Sequence, residues 1–65
     1  MLRVSDLLLE HREVETFAQL LEVVKLRARS EFFLSMDLKP PYPDTPLDWE
    51  EALESAFTSR QEDSS

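Results

Sequence analysis

One imidazole, no thiol and no glycine bound the chemistry that this 65-residue chain could carry. General acid–base work needs a titrating group within hydrogen-bond reach of a reacting atom, and histidine is its commonest agent. His11 is the sole histidine, stands beside Arg12, and has no nucleophile motif around it. The hydroxyls of Ser5, Thr16, Ser30 and Ser35 lie in no pattern that would activate them. A chain without glycine also has no glycine-rich loop to cradle phosphate. Metal chemistry is no better supplied. A closed tetrahedral site needs cysteine or several histidines, and although Glu50 and Glu54 share a helical face, no loop of further oxygen ligands accompanies them. The expectation is a protein that is not an enzyme, with no catalytic residue, no metal site and no cofactor.

Charge is the next resource, and it is unevenly distributed. The formal net charge is −7. Residues 1–43 hold six Lys/Arg against seven Asp/Glu, whereas residues 44–65 set Arg60 alone against Asp44, Asp48, Glu50, Glu51, Glu54, Glu62 and Asp63. Lys and Arg supply nucleic-acid affinity by neutralising phosphates, so direct nucleic-acid binding is not expected. Lys25, Arg27 and Arg29 form the one basic cluster. Lys25 and Arg29 are helical neighbours suited to an anionic partner, most simply the acidic C-terminal helix of the same chain or of a second copy. No run approaches the roughly 20 apolar residues that span a bilayer, and residues 1–6 lack the pattern of a signal peptide. A cytoplasmic location without membrane contact is the expectation.

These side chains need elements to position them. The absence of glycine, and of proline before Pro40, predicts helix rather than strands and hairpins. Between Glu13 and Met36 a helical wheel gathers Val14, Phe17, Leu20, Leu21, Val24, Ala28 and Phe32 into one stripe, which predicts a long central helix. Extending it backwards would set the Glu10 carboxylate in that stripe, so a break near residues 11–13 is expected. A short first helix capped by Ser5 would then precede it. An unbroken helix of about 30 residues is the competing arrangement.

Lys39-Pro40-Pro41-Tyr42-Pro43-Asp44 must leave helical geometry, because proline removes a donor and pushes its predecessor towards extended backbone. Extended to Pro46 it contains two PxxP spacings, which could dock as polyproline II, but a connector that folds Tyr42 back on the helices is the simpler expectation. Thr45 as N-cap, Pro46 at the first helical position and Asp48 completing a capping box predict the start of a last helix. Trp49, Ala52, Leu53, Ala56 and Phe57 give it a sharply apolar face. The expected architecture is an all-α small helical bundle over residues 1–57, completed by dimerisation, with residues 58–65 as a disordered acidic tail.

A functional expectation follows from a second apolar line. Val23, Leu26, Phe33 and Leu34 fall on or beside the face opposite the first stripe. A chain this short buries only about 60% of the surface its unfolded form exposes, and small domains without disulfides or metals often rely on association. The expected function is a non-catalytic protein–protein interaction module that forms a homodimer. Its interface would comprise Val23, Leu26, Phe33 and Leu34, with Asp48, Trp49, Glu50, Glu51 and Glu54 as an acidic docking helix. The alternative is an antitoxin-like acidic decoy that blocks a basic nucleic-acid-binding or toxin site.

Overall fold

The computed structural model of the chain describes residues 1–59, and the architecture is mixed rather than all-α. The order is β1 (Leu2–Arg3), α1 (Val4–Glu10), α2 (Phe17–Arg27), a 3-10 turn (Ala28–Ser30), β2 (Leu34–Ser35) and α3 (Trp49–Thr58). β1 and β2 pair in parallel, with Leu2 opposite Leu34 and Arg3 opposite Ser35. Parallel strands need a long crossover, and α1 and α2 together provide it.

The sheet exists because the expected central helix stops short. It covers Phe17–Arg27 rather than residues 13–36, tightens through Ala28–Ser30 and gives way to extended backbone at Glu31. The Ser30 hydroxyl donates to the Arg27 carbonyl at 3.2 Å, a local bond that competes with continued helix. Beyond it, Phe32-Phe33-Leu34 is aromatic and branched sequence that suits a pleated backbone. The Leu2 N–H donates to the Phe33 carbonyl at 2.9 Å, and the Leu2 side chain is buried to 2% exposure. Burying Leu2 and half-burying Leu34 is what pairing achieves over a helix that would run into solvent.

The start of α2 is equally well determined. Thr16 is its N-cap, with Oγ1 accepting the Gln19 N–H at 3.1 Å, while Gln19 Oε1 accepts the Glu15 N–H at 2.7 Å. That reciprocal arrangement is a variant of the capping box. The break before it runs through His11, the C-cap of α1, and Val14 N–H closes the turn on the His11 carbonyl at 3.1 Å. Ser5 is not the cap of α1. Arg3 occupies that position, and Ser5 in the first turn donates both its N–H and its hydroxyl to Asp37.

α3 begins at Trp49, three residues later than the start expected from Pro46. Thr45 cannot cap it, because its hydroxyl donates to the Pro40 carbonyl at 3.2 Å and its N–H to the Tyr42 carbonyl at 3.1 Å, closing the proline turn. Asp48 takes the N-cap position without a side-chain bond. Thr58 ends α3 and Ser59 is its C-cap, while the rest of the expected tail, residues 60–65, lies outside the described residues.

α3 lies across α2, and one apolar cluster joins all the elements. Leu2, Val4 and Leu7 come from the N-terminal part, Val14, Phe17, Leu20, Val24 and Ala28 from the expected central stripe, and Leu53, Ala56 and Phe57 from α3. Trp49, Tyr42, Val23 and Leu34 pack against its margin. The exception within the stripe is Phe32. With the helix ended at Ser30, this residue swings outward and is 84% exposed.

Candidate interaction surface

The expected interface of Val23, Leu26, Phe33 and Leu34 is divided by the fold. Val23 and Leu34 are half-buried against the core, so their apolar surface is largely used inside the chain. Leu26 and Phe33 are 65% and 69% exposed, and they stand on separate elements. The structure adds Phe32, which helical periodicity assigns to the core. No local signal marks its exposure, because Phe32 continues the helical stripe in register.

Phe32 and Phe33 sit where the chain enters β2. The Phe33 carbonyl is bonded to Leu2 N–H, and the Met1 amino group is 3.3 Å from the Glu31 carboxylate. The Met1 side chain is exposed as well. Both phenyl rings stand largely in water, Phe32 at 84% and Phe33 at 69% exposure.

Leu26 lies in a different setting. It helps line an open groove of about 270 Å³ along α2 with Glu22, Lys25 and Arg29. Lys25 Nζ is 3.5 Å from Glu22 Oε2, an exposed intrahelical pair. Arg27, on another side of α2, is engaged with α1: Nη1 donates to Glu10 Oε1 at 2.6 Å and faces His11 Nε2 at 3.1 Å. A guanidinium only donates. His11 Nε2 is therefore the acceptor, and Nδ1 carries the ring proton towards Glu13 Oε2 at 3.3 Å. The Arg27 hydrogen bond and charge hold the Glu10 carboxyl below its usual range. His11 thus serves as a bracket between α1 and α2.

On α3, Asp48, Glu50, Glu51 and Glu54 are exposed, and Trp49 is half-buried against the core. Among the described residues no ion pair reaches these four carboxylates. Leu47, just before the helix, is 98% exposed. The PxxP stretch is less available, because Pro40 is fully buried and Tyr42 packs on the core. Burial and the Glu13 charge raise the Tyr42 phenol above its ordinary value.

Sequence reasoning missed two acidic residues with structural duties. Asp37 accepts both donors of Ser5 in the first turn of α1, and Asp44 accepts the Phe17 and Ala18 N–H groups that open α2. These bonds hold both carboxyls below their ordinary values. No group of three His, Asp or Glu side chains that could hold a metal occurs among the described residues, and none of their helices is long and apolar enough to cross a membrane. Comparison with protein families, curated proteins and solved structures returned no match.

Proposed function

We propose that the chain is a non-catalytic protein–protein interaction module that acts in the cytoplasm and associates with itself as a homodimer. The observation that carries this reading is the exposed pair Phe32–Phe33, at 84% and 69%, in a domain too small to spare apolar area. Leu26 extends the apolar surface onto α2. The test is sedimentation velocity over a concentration series, comparing the wild type with Phe32→Asp/Phe33→Asp. A dimer that the double variant converts to a folded monomer supports the proposal. A wild type that stays monomeric at the highest concentration reached removes the homodimer.

A second reading rests on α3. Four exposed carboxylates without ion partners among the described residues suit an acidic face that covers a basic site on another protein. Salt separates the two, because an apolar interface persists at high ionic strength while an acidic decoy releases its target. Binding to an arginine-rich peptide at low salt that is lost on Glu50→Lys/Glu54→Lys would favour the decoy.

A further inference from the structure

We infer that two copies of this chain join edge to edge, β2 of one pairing antiparallel with β2 of the other about a twofold axis at Phe33, so that one four-stranded sheet runs through the homodimer. This rests on the homodimer proposed above and specifies its contact.

Backbone directions give the open edge. Successive residues of a strand turn their N–H and carbonyl groups to alternate neighbours. With Leu2 opposite Leu34 and the Leu2 N–H on the Phe33 carbonyl at 2.9 Å, the residues of β2 that serve β1 are Phe33 and Ser35. The N–H and carbonyl of Leu34 therefore point away from β1. Among the described residues no hydrogen bond reaches either of them. Free backbone groups on an edge are a template for another strand, and proteins that avoid such pairing often place lysine or proline there. Residues 31–36 contain neither. Their one charged side chain, Glu31, is engaged by the Met1 amino group at 3.3 Å.

The second copy is the occupant because the segment matches itself. A twofold axis sets the same patch of each copy against the other. Side chains alternate across a sheet, so Leu34 lies on the core side with Leu2 and Phe33 on the outer side, where it is 69% exposed. An axis at Phe33 places the two Phe33 side chains against each other as a close cross-strand pair, and Leu34 exchanges both backbone bonds with Phe32 of the second copy. Glu31 then faces Ser35. An axis at Leu34 would instead oppose Glu31 to Asp37, like charge to like, and one at Ser35 would oppose Phe33 to Asp37. Phe32 and Phe33, 84% and 69% exposed and offering about 150–250 Å² each when fully so, supply on the order of 600 Å² across two copies. That is about half of the roughly 1,200 Å² that stable association needs, and the rest falls to the strand edges and to Leu34, Ser35 and Met36.

Two measurements test the pairing, the first on the unaltered chain. Amide hydrogen exchange of Leu34 is read against protein concentration. At about ten times the dissociation constant that amide should exchange roughly tenfold more slowly than in the dilute monomer, because only the free copy leaves it open. The second uses the absence of cysteine, which makes any introduced thiol the sole one. In the inferred register the two residues at position 33 stand about 4.5 Å apart at Cα, within the reach of a disulfide, whereas those at position 35 are roughly 14 Å apart. Phe33→Cys should therefore collect as a covalent dimer under mild oxidation, and Ser35→Cys should remain a thiol. Circular dichroism of each variant checks helix content. If sedimentation shows a wild-type dimer but the Leu34 amide does not slow, the edge pairing is overturned and the homodimer stands. Covalent capture at position 35 in preference to 33 overturns the register in the same way. If the wild type is monomeric throughout, the pairing and the homodimer fall together.

Discussion

Asp44 closes the N-terminus of α2 from across the fold, Oδ1 accepting the Phe17 N–H at 2.6 Å and Oδ2 the Ala18 N–H at 3.3 Å. With Thr16 on Gln19, the first three N–H groups of the helix are satisfied by side chains rather than by the helix itself. A carboxylate at this end also meets the positive pole of the helix dipole.

Asp44→Asn should therefore lower the melting temperature at pH 7 by several degrees. The sign of the pH dependence is fixed by the direction of the shift. Asp44 has a folded pKa below its unfolded value, so its stabilisation is complete above the unfolded value and fades as the pH falls through the folded one. Melting temperatures of wild type and variant should converge as the pH is lowered from about 5 towards 2. A gap that stays constant over that range would contradict the charge-assisted cap.

Ser5 and Asp37 should behave as a coupled pair. Both donors of Ser5 end on the one carboxylate, so Ser5→Ala leaves the backbone bond and Asp37→Ala removes both. In a double-mutant cycle the combined variant should lose less than the sum of the single losses. Strict additivity in denaturant titration would show that the contact contributes nothing.

Leu2→Ala tests the sheet. In a chain folded only from helices, a residue this close to the start would fray and tolerate change. Here Leu2 is 2% exposed and faces Leu34 across the strands, so truncation should cost about 2–5 kcal/mol, as at other buried leucines. Chemical denaturation showing a loss below about 0.5 kcal/mol, the range of ordinary surface changes, would argue against the pairing.

Leu20→Ala and Leu26→Ala separate core from surface on one helix. Leu20 is fully buried and should lose about 2–5 kcal/mol, a large share of the total stability expected of a domain this size. Leu26 is mostly exposed and should change folding stability by about 0.5 kcal/mol or less in a dilute monomer. Equal losses would place Leu26 in the core.

The legible parts of the fold are those set by local signals. The stripe of Val14, Phe17, Leu20, Val24 and Ala28 is buried as its period implies, and the last helix buries Leu53, Ala56 and Phe57. The interruption near His11 is visible because Glu10 would otherwise be a charge in an apolar face. What periodicity could not convey is where α2 ends. Phe32 continues the stripe in register, and only the burial of Leu2 against Leu34, a contact between residues 32 apart, makes the extended path preferable. The all-α expectation failed on that one long-range pairing. Thr45 failed for a related reason, since its hydroxyl serves the proline turn before it can serve the helix. The capping box at Thr16 and Gln19 is local and readable, and it would have set the start of α2 at Phe17. Of the expected contact residues, Leu26 and Phe33 remain outward, while Val23 and Leu34 are drawn in because neighbouring elements reach them.

The stretch from Asp37 to Asp44 works as a splint. It contributes no helix and no strand, yet its two terminal carboxylates hold the opening turns of α1 and α2, and Pro40 anchors its middle in the interior. The openings of two helices are thus each completed by a residue from outside both of them. Eight residues that a search for secondary structure would pass over thereby supply the ends of two helices with the acceptors that their own backbone lacks.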